Sequence, residues 1–239
     1  MRKFLLLLLL CSFPLNHLPV RTILSFEKNM PVASEEMDGS ALFHAMRLDG
    51  VVGFLAFRQA VEGYNKIEQK NKPILTLIDF TKPSTEKRLF VFDMEKKELL
   101  YSSLVSHGRN SGENFAVSFS NKQGSYKSSL GFYLTGNTYE GKNGYSLLLD
   151  GLEKGVNDKA RERAIVVHGA AYANPSVIAS AGRLGRSLGC PALPQAVAKP
   201  IINTIKGGSV LFIYANNQDY MAKTSVLAPN RNLSFVAAD

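Results

Sequence analysis

Residues 165–193 read IVVHGAAYANPSVIASAGRLGRSLGCPAL, and this stretch decides how the rest of the chain is understood. It holds His168, one of four histidines, and Cys190, one of two cysteines; the other, Cys11, lies in an apolar N-terminal run. The apolar, β-branched run Ile165-Val166-Val167 predicts a strand that delivers His168 to its end, and Gly169 frees the backbone to turn there. In Ser187-Leu188-Gly189-Cys190-Pro191 a thiol follows directly after a glycine, where the main chain can bend tightly and aim N–H groups at a bound carbonyl oxygen. A thiolate nucleophile, an imidazole to take its proton and donors facing an oxyanion are what covalent acyl transfer requires. A free cysteine also packs well as a small buried hydrophobe. Packing alone, however, does not call for Gly169, Gly182, Gly185 and Gly189 with Arg183 and Arg186 among them.

His-Gly, a connector rich in Gly, Ala and Arg, then Ser-x-Gly-Cys resembles the active-site signature of the YkuD-like L,D-transpeptidases. Ser187-Leu-Gly-Cys-Pro-Ala-Leu193 is similar to the branch described as the murein L,D-transpeptidase catalytic domain, and the likeness spans roughly residues 42–214. This resemblance implies a mainly β (α+β) fold, a YkuD-like β-sandwich with short helices behind an N-terminal helical hairpin. It further implies Cys190 as nucleophile, His168 as base, the Gly169 carbonyl as the group that orients the imidazole, and the Gly189 and Cys190 N–H groups as the oxyanion hole. Leu188 and Ala192 stand where the better-known branch carries a His and an Asn or Arg, so the nucleophile and base are retained while the grip on substrate differs.

Around this stretch, 239 residues with 45% hydrophobic and 20% charged content suffice for one domain of medium size with a substantial core. Met1-Arg2-Lys3 followed by Phe4 to Leu10 has the basic and apolar regions of a secretory signal, too short to span a bilayer. Export to the periplasm or cell envelope is therefore expected, with Cys11 as an alternative lipidation site that would tether the chain. Loss of the leader leaves Cys190 as a lone thiol, and retaining one in an oxidising compartment points to its use. The formal charge of +8 favours an anionic envelope polymer or lipid surface over nucleic acid, for which no aromatic-and-basic cluster appears. No cofactor is implied, no cluster of metal ligands is spaced for zinc, and composition leaves the oligomeric state open.

Ala41 to Leu48 and Val52 to Gln69 carry apolar residues at helical spacing, broken by Asp49-Gly50, and predict a hairpin packed on the main body. Ile74 to Ile78 reads as a strand, and Arg88 to Met94 with Glu98 to Val105 reads as a β-hairpin about a charged turn. Phe115 to Phe119 alternates as a half-buried strand. By their place in the resemblance Tyr133 and His107 are expected near the pocket as substrate contacts, with core packing for Tyr133 and a plain turn for His107 as the alternatives; Ser187 is expected there too, and Arg183 and Arg186 are candidates to favour the thiolate or hold a stem carboxylate, with plain surface charge as the alternative. Tyr145 to Asp150 is a further strand, Pro194 starts a helix, and Val210 to Tyr214 supplies the last strand. The expected divisions are a leader over 1–24, a helical hairpin over 36–72, a catalytic domain over 73–216 and a loosely packed tail over 217–239.

By that resemblance the chain acts on peptidoglycan stem peptides, Cys190 attacking the third residue and expelling a terminal D-alanine. An L,D-carboxypeptidase or cross-link hydrolase would use the same residues with water in place of an amine. A non-catalytic module that binds the envelope, with Cys190 buried, is the reading of a different class.

Overall fold

A computed structural model describes residues 37–228; the leader, Cys11 and the residues after 228 lie outside it. The described residues belong to one compact unit, and no helix among them is long and apolar enough to cross a membrane. Helix α1 (Gly39–Ala45) starts where the Asp38 carboxylate accepts the Ser40 N–H, and α2 (Phe54–Lys66) follows after Gly50 has taken a left-handed turn at φ +72°. In α2, Ala56, Phe57, Ala60, Val61 and Tyr64 recur at helical spacing and are buried. Gly63 is in the same helix because the Phe132 ring lies over it: a Cβ there would meet that ring at 2.0 Å. The expected helical hairpin is thus present, with each helix shorter than its apolar pattern.

The strands are β1 (Ile74–Asp79), β2 (Leu89–Asp93), β3 (Glu98–Ser103), β4 (Gly131–Gly141), β5 (Gly144–Gly151), β6 (Val166–Gly169), β7 (Ala192–Leu193) and β8 (Val210–Tyr214). They form one mixed sheet in the order β3-β2-β1-β8-β4-β5-β6-β7. Strands β1, β2 and β8 are buried at every residue, which is why they read as continuous apolar runs and not as alternation. The β2–β3 turn forms as its charged residues allow: Asp93 accepts the N–H groups of Glu95 and Lys96, and Lys97 takes a left-handed φ of +57°. Between β6 and β7 run a short 3₁₀ turn (Ala171–Ala173) and α3 (Pro175–Ala181), while α4 (Gln195–Ile205) and α5 (Gln218–Lys223) flank β8. Helix α4 buries Ala198, Ile201, Ile202 and Ile205 on one face.

The two edges of the sheet come together. Beyond β3, the Ser106 N–H donates to the Ala192 carbonyl of β7 at 2.8 Å, and Ser187 N–H donates to the His107 carbonyl at 2.9 Å. The sheet is thereby bent nearly into a barrel, closed by the segment that carries Cys190. Arg88, fully buried, holds that closure: its Nε and Nη2 donate to the Val105 carbonyl at 3.0 and 2.8 Å, and Nη2 also reaches His107 Nδ1 at 2.8 Å.

Three segments depart from the sequence pattern. Phe115 to Phe119 is a loop and no strand, because Ser111 turns the chain and its carbonyl takes both the Val117 and Ser118 N–H groups. Burial there runs against the apolar alternation: Ala116 packs inward while Phe115 and Val117 stand 48% and 73% exposed. Strand β4 runs on to Gly141, through an irregularity between Thr135 and Thr138. The start of the expected tail is packed: the buried Glu153 carboxylate accepts the Tyr220 hydroxyl at 3.1 Å and the Thr224 hydroxyl at 2.5 Å, drawing α5 onto the body.

His107 gives the fold a pH dependence. Burial, then the Arg88 charge, pushes its pKa down to about 4 from 6.5. Between those values the unfolded chain binds a proton that the folded chain refuses, so the contribution is complete above about pH 6.5 and lost as pH falls toward 4. Stability should drop by about 3 kcal/mol across that window, with His168, also lowered by burial, acting in the same direction. Urea denaturation at stepped pH should show this slope, and His107→Gln, which keeps an acceptor for Arg88, should flatten most of it.

Candidate functional site

Strands β6 and β7 are parallel, with His168 opposite Ala192. Two residues back along both chains, Cys190 lies beside Val166. Among the described residues no hydrogen bond joins the sulfur to His168. The Cys190 sulfur accepts the Val166 N–H at 3.5 Å and donates to the Ala164 carbonyl at 3.5 Å. His168 Nδ1 lies 3.0 Å from the Gly169 carbonyl. A carbonyl only accepts, so Nδ1 carries the hydrogen and the neutral ring offers its lone pair at Nε2.

Burial acts on the two groups in opposite directions. It pushes the Cys190 thiol up, an effect the Val166 N–H and the Arg163 charge partly offset. It pushes the His168 imidazole down, with the Gly169 contact pulling back. Both shifts favour the uncharged pair, thiol and imidazole.

The turn into Cys190 is built by Ser187 and Gly189. Ser187 Oγ accepts the Gly189 N–H at 3.0 Å and donates to the Cys190 carbonyl at 2.6 Å. Gly189 has φ +130°, and a Cβ there would meet Ile165 Cδ1 at 2.9 Å and the Lys127 carbonyl at 3.0 Å. The expected roles of Ser187 and Gly189 shift accordingly. Ser187, buried, braces the loop, and the Gly189 N–H is engaged within it, whereas the Cys190 N–H has no partner among the described residues.

Two other expected substrate contacts are placed in the interior. Tyr133 is fully buried and its hydroxyl donates to the Ser129 carbonyl at 3.0 Å. His107 has both ring nitrogens engaged, by Arg88 and by the Gly112 carbonyl at 3.2 Å. Neither side chain is placed to touch a ligand. Arg183 and Arg186 are half-buried, and both grip one exposed carboxylate, Glu113, at 3.0 and 2.6 Å.

A family model for the L,D-transpeptidase catalytic domain matches residues 49–214. The chain belongs to that family. Among solved structures, an L,D-transpeptidase from Mycobacterium smegmatis is 14% identical, with 60% of this chain and 59% of that one covered and a TM-score of 0.37. The helical cell shape determining protein Pgp2 from Campylobacter jejuni is 13% identical, with 62% and 50% covered and a TM-score of 0.42. L,D-transpeptidase 3 from Mycobacterium tuberculosis is 12% identical, with 60% and 61% covered and a TM-score of 0.39. The chain spans about half to three fifths of the length of these structures. No curated protein matches it.

In this L,D-transpeptidase domain two residues beside the thiol carry no motif. Tyr172 sets its ring 6.5 Å from that of His168, edge to face, and packs so closely on Gly185 that a Cβ there would meet it at 2.4 Å. Arg163 lies against Gly189, one residue before the cysteine. Among the described residues no three His, Cys, Asp or Glu side chains converge as metal ligands would.

The Gly189 geometry makes a direct prediction. Gly189→Ala forces a Cβ into a backbone region disfavoured for L residues and against the Ile165 and Lys127 atoms, and should cost about 2 kcal/mol or more in chemical denaturation.

Proposed function

We propose that this domain is a peptidoglycan L,D-transpeptidase that works through a thioester on Cys190. What supports the reading is the pairing of β6 with β7, which sets His168 opposite Ala192, two residues after Cys190, with a tautomer that leaves Nε2 as the proton acceptor. Family membership over residues 49–214 supplies the substrate class, stem peptides of the cell wall, and with it an envelope location. In the reaction, the sulfur leaves its hydrogen bond to the Ala164 carbonyl and gives its proton to His168 Nε2. The sulfur then attacks the carbonyl carbon of the third stem residue, the unengaged Cys190 N–H faces the developing oxyanion, and the bond to the terminal D-alanine breaks. His168 returns the proton to the leaving amine. An amine from a second stem resolves the thioester to a cross-link; water in its place yields the trimmed peptide.

Arg183 and Arg186 are proposed to hold a stem carboxylate. What supports this is the group they already hold: the Glu113 carboxylate, whose pKa the Arg186 hydrogen bond keeps below the usual range. A stem carboxylate would take the place of Glu113.

Cys190→Ala and His168→Ala should each abolish acyl-enzyme formation with a stem tetrapeptide while thermal unfolding stays cooperative. Intact mass after exposure to a carbapenem should show one adduct on the parent and none on Cys190→Ala. Full turnover by purified Cys190→Ala would refute the assignment, and wall binding without any adduct would favour a non-catalytic module. Arg186→Ala should raise KM for a free-carboxylate tetrapeptide about tenfold with kcat little changed, the loss of one charge-assisted hydrogen bond.

A further inference from the structure

Arg163 is half-buried, and none of its partners among the described residues is charged. Its Nη1 donates to the Ser120 carbonyl at 2.8 Å and to Ser129 Oγ, and its Nη2 donates to the Lys127 carbonyl at 2.6 Å and to Ser125 Oγ at 3.3 Å. No carboxylate lies within ion-pair distance of it among the described residues. A cation partly withdrawn from water with only neutral oxygens around it is an incomplete pair, because burial of a charge is disfavoured unless an opposite charge offsets it.

The chain places the missing anion close by. Arg163 precedes Ala164, whose carbonyl takes the Cys190 S–H, and its Nη2 would stand 3.4 Å from a Cβ on Gly189, the residue before the cysteine. The guanidinium therefore packs beneath the turn that carries the sulfur. The loop that cradles it is tied to the same turn: Ser128, next to Lys127, donates its hydroxyl to the Gly189 carbonyl at 3.2 Å.

We infer that Arg163 is the electrostatic positioning residue of the site, a fixed, half-buried cation that serves as counter-ion to the Cys190 thiolate formed during acyl transfer. This rests on the proposed role of Cys190 and adds to it. His168, once protonated, supplies one positive charge on the β6 side, and Arg163 supplies a permanent one beneath the loop. The other ionisable groups facing this cluster are Tyr172, beside the sulfur, and Tyr133, beside Arg163; burial raises both phenols, so both stay neutral in the working range. Burial depresses Arg163 itself while the nearness of Tyr133 and Cys190 pulls it back up, as a cation awaiting an anion should behave.

The test reads the thiol without any substrate, so its outcome is separate from whether the chain is a transpeptidase. Alkylation of Cys190 by iodoacetamide is followed against pH on the full chain, with peptide mass spectrometry to separate Cys190 from Cys11. In Arg163→Gln the apparent thiol pKa should rise by about one unit, a tenfold loss of thiolate at fixed pH. Arg163→Lys, which keeps the charge, should restore most of the difference. A merely structural role would lower the melting temperature and leave the pH profile where it was. Equal profiles in folded Arg163→Gln and parent protein would overturn the proposal.

Should Arg163→Gln fail to fold, the parent alone decides. A cation at the sulfur makes iodoacetate react faster relative to iodoacetamide than it does with a free model thiol, by about tenfold if the charge is unscreened. An unchanged ratio would overturn the proposal. Transpeptidation retained by Cys190→Ala would instead refute the underlying function, whatever the alkylation profile shows.

Discussion

The interior guanidinium of Arg88 is the constraint on which the remaining architecture hangs. It donates to the carbonyls of Lys82 and Val105 and to His107, lies over the Phe80 ring, and has the Asp79 carboxylate near enough to favour its charge. Those bonds fix the course of the chain from Val105 to Gly108, which pairs on its far side with Ser187 and Ala192. The two free edges of the sheet meet at this one segment, so the loop bearing Cys190 is suspended between β6 and a strand-like stretch that Arg88 pins. A neutral His107 is part of the same device. Its protonation would set two cations against each other in the interior, and burial together with Arg88 keeps the ring uncharged.

From this clamp the geometry of the candidate site follows by short steps. Ser106 bonds the Gly185 carbonyl with its hydroxyl at 2.7 Å, and Gly185 N–H bonds the Tyr172 carbonyl at 2.7 Å. The connector between β6 and β7 is thus tied at both ends, and the ring of Tyr172 is delivered to the face of His168. Glycine is needed at Gly185 because Tyr172 occupies the place of its side chain, and at Gly189 because the turn there is left-handed and crowded. The glycines of the motif are spatial requirements of a loop pressed between aromatic and aliphatic neighbours.

Much of this was legible in the sequence, and the parts that were not share a cause. The strand ending at His168, the β2–β3 hairpin and the apolar β1 and β8 were readable because each is local, carried by periodicity and turn chemistry. The Ser-x-Gly-Cys turn was readable because only glycine suits it. By contrast, Arg88 and Arg163 look in sequence like surface charges, since burial of an arginine depends on partners that are distant along the chain, such as Val105 and Lys127. Tyr133 and His107 looked like pocket residues for the same reason: position in a loop or strand says which element a side chain is on, and not which way it faces. The packing of α5 depends on Glu153, 67 positions before Tyr220, and no local pattern announces such a pair. The false strand at Phe115 to Phe119 arose because an apolar alternation says nothing of burial when the chain wraps about Ser111 and leaves Phe115 and Val117 exposed.

The burial that disfavours a thiolate at rest has a chemical consequence for the proposed mechanism. A protonated thiol donating to the Ala164 carbonyl is a poor target for oxidants, which react with the thiolate. An imidazole lowered by desolvation is uncharged near neutral pH and so available as a base. Transferring the proton creates opposite charges in surroundings of low polarity, where their mutual attraction and the field of a fixed neighbouring cation act more strongly than in water. In the proposed mechanism the resting pair is therefore chemically quiet, and the reactive ion pair would form as a bound peptide displaces water from around it. Lowering the thiol further, by a more exposed setting, would raise the resting population of thiolate and with it the rate of oxidation. A buried thiol that a base activates only on demand, as proposed here, would avoid that conflict.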